Sequence, residues 1–178
     1  MAFWAVACVL IALLAFVVIV FNELVTTRNQ VRTAWSGIDV QLQRRHDLIP
    51  QLAAVAKGYA DYEQATLNSV TELRARSQAT ASIAQRGQIE GELDAQASRL
   101  IALGERYPDL KANATFMQLQ QQLVDTENRL GDARQGYNES VRAFNTLIET
   151  FPDLLLARPF GFRAAEYFQA ENKQAPKI

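Results

Sequence analysis

The chain holds one cysteine and one histidine among 178 residues, and these two scarcities remove much of the chemistry a protein of this size can carry. Cys8 has no partner for an intramolecular disulfide. It also sits in an apolar run that disfavours the thiolate, so neither an oxidised framework nor a sulfur nucleophile is expected. A single His46 leaves no second imidazole for a His-based metal centre. A di-metal carboxylate bundle would need two Glu-x-x-His units, and Gln43 stands where the first glutamate should be. No Gly-rich loop ending in Lys-Ser or Lys-Thr is present to cradle a phosphate. Charge of one sign is lacking too. Lys and Arg number 18 against 19 acidic residues, for a net charge of −1, which gives no reason to hold a nucleic-acid backbone. Strand-like alternation is absent throughout. From these absences no catalytic, cofactor-binding or metal-binding residue is expected, and no nucleic-acid partner.

What is present begins at the N-terminus. Residues 2–21 contain no charge, Gly, Pro, Asn or Gln, and a helix of about 20 residues rising about 1.5 Å each spans the roughly 30 Å of a bilayer's hydrocarbon. Ala2, Trp4, Leu10, Leu14, Val18 and Phe21 mark this predicted membrane helix, with Trp4 placed to meet the headgroups. A cleavable signal would need a basic start and a small-residue cleavage site. Neither is there, since no Lys or Arg precedes the run and Asn22-Glu23-Leu24 follows it. Arg28 and Arg32 lie just beyond the span, so the positive-inside rule places the C-terminal domain in the cytoplasm and the N-terminus outside.

Beyond Phe21 the apolar pattern turns periodic. Leu24, Val31, Trp35, Ile38 and Leu42 recur at helical steps, and no Pro or turn cluster separates them from the span. Arg44, Arg45 and His46 suit a helix C-terminus, and Asp47 with Pro50 suits the start of another, so a chain reversal is expected there. The predicted domain runs over 22–151, as helices at about 22–46, 48–78, 86–107 and 113–151, with a tail at 152–178. Gly58 is read as a point of close helix approach, and Asn113 as the cap of the last helix. Trp35, Ile38, Leu42, Tyr59, Phe116, Leu123, Tyr137 and Phe144 are the expected bundle core or partner contacts. The predicted fold is therefore all-α, a transmembrane helix continuous with an antiparallel up-down four-helix bundle, closed by a short helical or irregular tail.

Other features carry bland readings. Glu90, Glu92 and Asp94, like Asp125 and Glu127, read as solvated faces. His46-Asp47-Leu48-Ile49-Pro50 faintly resembles the phosphoacceptor box of sensor kinases, but no nucleotide-binding domain follows and a helix-end cation beside an N-cap is the favoured reading. Thr126-Glu127-Asn128-Arg129 suits inter-helix hydrogen bonding, and Tyr107-Pro108-Asp109 a helix end. The sequons at Asn113 and Asn138 are coincidental in a cytoplasmic domain. Residues 154–168, rich in Leu and Phe, read as a cover packed over the bundle in preference to an interfacial membrane contact. Residues 169–178 read as a polar end.

Ordered short motifs then accumulate: Asn22-Glu23-Leu24-Val25, Arg28-Asn29-Gln30-Val31, Ala34-Trp35-Ser36-Gly37-Ile38-Asp39, Arg44-Arg45-His46-Asp47-Leu48-Ile49-Pro50, Lys57-Gly58-Tyr59-Ala60, Tyr107-Pro108-Asp109-Leu110, Thr126-Glu127-Asn128-Arg129, Phe144-Asn145, Phe151-Pro152 and Gly161-Phe162. Together they resemble the LemA family over essentially the whole chain. One departure is Tyr62-Glu63, where the family often has His-Glu. The resemblance implies a single-pass protein of the bacterial inner membrane with a four-helix cytoplasmic domain, and relatives connected with membrane organisation and remodelling. It implies no enzyme activity. The expected partners are the lipid bilayer, further copies of the chain and other membrane proteins. The expected role is a scaffold, with a membrane-anchored adaptor or signal-transmitting module as the alternative.

Overall fold

A computed structural model describes residues 1–58, 64–80 and 82–168, with the backbone alone for 64–67. Tyr59, Tyr62-Glu63 and the polar end at 169–178 lie outside the described residues. The elements are α1 (Ala2–Ala56), α2 (Gln64–Ala79), α3 (Ile83–Arg106), the single turn α4 (Pro108–Lys111), α5 (Ala114–Glu149) and the single turn α6 (Leu154–Ala157), with no strand among the described residues. Two compact units are formed, Met1–Ser36 with Gln135–Glu166, and Gly37–Arg134 with Tyr167–Ile178.

The chain reversal expected at residues 44–50 is absent, and α1 continues to Ala56 with Pro50 inside it. The reason lies in the phase of the buried positions. Leu24, Val31, Ile38, Leu42, Arg45, Ile49, Leu52 and Ala56 are all buried, and they follow one another at steps of three, four or seven without a reset. Arg45 occupies a core position in that seam, so the basic cluster belongs to the middle of a helix. Pro50 lacks the N–H that would bond the His46 carbonyl, but its neighbours Ile49 and Leu52 keep the helix packed through that gap. The expected helices at about 22–46 and 48–78 are thus replaced by α1 and by α2 starting at Gln64.

In the second unit, side-chain pairings fix helix direction. Asp39 accepts from Arg86 (2.9 Å) and His46 meets Glu90 (2.8 Å), so positions advance together along α1 and α3 and these helices are parallel. Ser77 bonds Glu90 while Arg76 lies 3.9 Å from Glu92, so α2 runs against α3. Gly104 faces Phe116, and Glu90 and Glu127 share Arg45, so α5 also runs against α3. This is the up-down arrangement. Its core joins Leu48, Ile49 and Leu52 of α1, Val70 and Leu73 of α2, Leu93, Ala97 and Leu100 of α3, Leu110 of α4, and Phe116, Leu119 and Leu123 of α5. Burial of each large side chain contributes roughly 1.5–3 kcal/mol, which makes this apolar set the main source of stability.

Helix ends follow their sequence signals. Ser82 accepts from the Gln85 N–H (3.4 Å) to start α3, and Asn113 accepts from the Phe116 N–H (3.0 Å) to start α5. Among the described residues, a Cβ added at Gly58 would meet the Val55 carbonyl of its own turn at 3.6 Å. A close approach is made at Gly104, where an added Cβ would stand 2.7 Å from the Phe116 ring.

In the first unit α1 and α5 are again antiparallel. Trp35 packs edge-on against Tyr137 (5.4 Å between ring centroids), while Arg28 lies over the Phe162 ring (4.9 Å), which neighbours Phe144 (6.4 Å). Gly161 at φ +73° takes a left-handed turn that other residues enter only with strain, and Phe162 then turns inward and is buried. The returning chain is tied to α5: Asn145 both donates to the Ala165 carbonyl (3.0 Å) and accepts from its N–H (2.8 Å), and the Tyr137 hydroxyl donates to the Glu166 carbonyl (2.8 Å).

Candidate functional site: a buried charged centre

Three helices of the second unit deliver ionisable side chains to one dry place. Arg45 of α1, Glu90 of α3 and Ser77 of α2 are essentially inaccessible to solvent, and His46 is 4% exposed. Arg45 Nη1 donates to both carboxylate oxygens of Glu127 on α5 (3.2 Å each), and Nη2 donates to the Glu90 carbonyl (3.1 Å) and to its Oε2. Glu90 Oε1 receives His46 Nε2 (2.8 Å) and the Ser77 hydroxyl. Arg86 extends the network, donating from Nε to the Ser77 carbonyl (3.2 Å) and from Nη1 to Asp39 (2.9 Å). All four bundle helices are joined through these groups. A planar guanidinium is the side chain suited to this, since its fork of donors can serve two carboxylates at once.

Burial raises the affinity of Glu90 for its proton, but the hydrogen bond from His46, the charge of Arg45 and the Ser77 hydroxyl outweigh it, and the carboxyl is held down at about 2. With Glu90 ionised and able only to accept, His46 Nε2 carries the hydrogen in that bond. Burial pulls the Arg45 guanidinium towards neutrality, yet the charges of Glu127 and Glu90 push its pKa above the ordinary arginine value. Glu127 goes the other way: burial outweighs the pull of Arg45 and raises it. Arg134 is lowered, first by burial and then by the like charge of Arg45. Its guanidinium also lies over the Phe168 ring (5.2 Å).

These facts correct the bland readings of two residues. Glu90 is not on a solvated face, and His46 is not a helix-end cation; both are interior members of one network. Glu127 is also inter-helical, as the Thr126-Glu127-Asn128-Arg129 motif suggests, and Thr126 beside it is fully buried, bonding the Gln122 carbonyl (2.7 Å). The signal that could have found the pair is spacing. Arg45 stands on the seam between Leu42 and Ile49, and Glu90 adjoins buried Ile89 and precedes buried Leu93 by three.

The hydrogen bonds of the centre run among its own members, while Arg45 Nε is buried without a hydrogen-bond partner among the described residues. In a nucleophilic triad the serine hydroxyl bonds the imidazole, whereas here Ser77 and His46 both address the same oxygen of Glu90, so no proton path runs from one to the other. A carboxyl held at about 2 is also a poor base near neutral pH. The second unit has in addition a shallow groove of about 310 Å³ between α2 and α3, whose Glu72, Arg76, Glu92 and Arg99 present both signs of charge.

The other sequence-selected residues distribute as follows. Ile38, Leu42, Phe116 and Leu123 are buried in the second unit, and Tyr137 and Phe144 in the first, where Trp35 is half-buried against Tyr137. Trp4, Leu10, Leu14 and Val18 are exposed on α1, Ala2 is exposed and Phe21 half-buried. Among the described residues, α1 is the one helix long and apolar enough to cross a membrane.

The fold and its centre therefore define a class: a helical bundle of antiparallel helices, clamped by buried charges, whose first helix begins as an apolar segment of membrane-spanning length. The LemA family model matches residues 34–178, and the chain belongs to the LemA family. It is similar to Protein LemA of Metamycoplasma hominis (26% identical, covering 85% of this chain and 69% of that protein). It is also similar to Magnetosome protein MamQ of Magnetospirillum gryphiswaldense (24% identical, 89% and 68%) and Magnetosome protein MamQ 2 of Paramagnetospirillum magneticum (24% identical, 89% and 68%).

Proposed function

We propose that this protein is a non-enzymatic, single-pass scaffold of the bacterial inner membrane, with its N-terminus outside and its helical domain in the cytoplasm, which self-associates and so organises or remodels the bilayer. The observation that carries the reading is α1 itself. It is one helix of 55 residues that begins as an exposed apolar run and carries Arg45 further along. Glu90, His46, Ser77 and both terminal nitrogens of Arg45 bond within the centre, which favours a structural role for them over a catalytic one. Exposed apolar side chains on the bundle, Val40, Met117 and Val124, offer places for contact with further copies. No cofactor and no nucleic acid enter this reading.

The continuity of α1 also favours a second reading, an adaptor that passes movement of the span to the Arg45 centre and binds another membrane protein. A photo-crosslinking residue at Val40, Met117 or Val124 in living cells separates the two. Adducts at multiples of the chain's own mass are expected for the scaffold. A single adduct with a different membrane protein would establish the adaptor, and no adduct from any position would contradict both.

A further inference from the structure

The first unit ends in a segment whose apolar side chains face outwards at one level of α1. Phe151, Leu155 and Phe160 are 75%, 61% and 55% exposed, although they flank buried Asp153, Ala157 and Phe162. A loop that merely covered a bundle would turn such side chains inwards. Their level is fixed by two independent observations. Phe160 and Phe162 make edge-on ring contacts with Phe21 (5.0 and 6.0 Å), the last residue of the apolar run. Trp35 packs on Tyr137, and fourteen residues back along α1 lead to Phe21, while twelve residues on from Tyr137 lead to Glu149 at the end of α5, two residues before Phe151. At about 1.5 Å per residue these paths cover roughly 21 Å and roughly 18 Å, so Phe151, in the turn after α5, lies near the level of the end of the run. Burial agrees: Val20 is 5% exposed, unlike Val18 and Ile19 before it.

We propose that residues 151–163 form a second membrane contact, an interfacial foot that sets Phe151, Leu155 and Phe160 into the bilayer surface around the point where α1 emerges. The occupant is lipid because the patch is continuous with the lipid-facing surface of α1 and shares its height. The polar residues of the segment fit as well. Arg158 and Arg163 are exposed beside Phe160, where arginines can reach phosphate headgroups while their stems lie on apolar surface. The foot would hold α1 at a fixed depth and tilt, since one helix alone can slide or lean and a helix with a lateral contact resists both. The inference rests on the span reading above.

The test uses the full-length chain in phosphatidylcholine–phosphatidylglycerol vesicles, with Cys8→Ser and a nitroxide label at one of four positions: L14C in the span, L155C and F160C in the foot, and V40C on α1 in the second unit. Power-saturation electron paramagnetic resonance compares collisions with oxygen, which partitions into lipid, and with a water-soluble nickel chelate. Oxygen should dominate at 14, 155 and 160, and nickel at 40. Nickel dominance at both 155 and 160 with oxygen dominance at 14 would overturn the foot and leave the span intact. Nickel dominance at 14 would overturn the span itself. Spin–spin broadening at 155 that disappears on dilution with unlabelled chain would show that a second copy covers the patch, and would also overturn the proposal.

Discussion

Replacing Arg45 by Met removes the one side chain that addresses Glu90 and Glu127 together, and the structure sets the scale of the effect. The methionine approximates the arginine stem, so the loss is chiefly electrostatic. Glu90, with a fully buried side chain, keeps His46 and Ser77 but loses its full positive charge. Glu127, whose side chain is 27% exposed, can recover part of its hydration. Breaking a buried ion pair by deleting one partner costs about 3–5 kcal/mol, and the retained partners of Glu90 place the expected loss near the lower end, about 3 kcal/mol. Against a typical domain stability of about 5–15 kcal/mol this is a large fraction. Urea unfolding of the full-length protein in mild detergent, followed by helical circular dichroism, reads the change in midpoint. The double variant R45M/E90M should recover most of the loss, because two apolar side chains of similar volume remove the orphaned charge as well. A single variant within about 1 kcal/mol of the parent, where ordinary surface substitutions fall, would refute the claim that this centre clamps the bundle. So would a double variant at least as unstable as the single.

Further outcomes follow from the same structure. Glu90 is held at about 2 against an ordinary value of 4.5, so its contribution is complete above pH 4.5 and is lost as pH falls towards 2, about 3 kcal/mol in all. Glu127 is shifted upwards, so it contributes the opposite slope, favouring the fold below its raised pKa; Glu90→Gln should flatten the acid limb of a stability–pH curve, and an unchanged limb would contradict the assignment. Gly104→Ala places a Cβ 2.7 Å from the ring of fully buried Phe116 and should cost about 1–3 kcal/mol in thermal or urea unfolding. Gly131→Ala meets nothing within 4 Å and should stabilise by up to about 1 kcal/mol; the reverse order would be inconsistent with the packing described. Asn145→Ala removes both bonds to Ala165 and should raise hydrogen exchange around residues 163–166 by about tenfold or more, while leaving α3 unaffected.

The fold was legible where the sequence has one dominant period. The apolar run of α1, the long face of α5 through Phe116, Leu123, Tyr137 and Phe144, and the Asn113 cap could be read because each signal is local. The misreadings share a cause. Arg44-Arg45-His46-Asp47 looks like a helix boundary because charge inside a seam resembles charge at an end, and only partners 44 to 82 residues away, Glu90 and Glu127, show that Arg45 and His46 point inwards. The spacing of Glu90 beside Ile89 and Leu93 marks the inner face of α3, but whether a carboxylate is buried there also depends on an arginine delivered by another helix. Gly104 could be recognised as small but not as facing Phe116. The exposed Leu155 and Phe160 resemble a buried cover in a linear sequence, because apolar composition does not say which way a turn faces. The family resemblance, carried by motifs along the chain, located the helices' relatives but said nothing of these pairings.

Self-association is the central functional claim, and the mass of the full-length protein in a native-like lipid particle tests it most directly, by native mass spectrometry or single-particle imaging over a range of protein-to-lipid ratios. The scaffold account predicts a defined oligomer whose mass is a fixed multiple of the 19.9 kDa chain. A lone protomer at every ratio would contradict it.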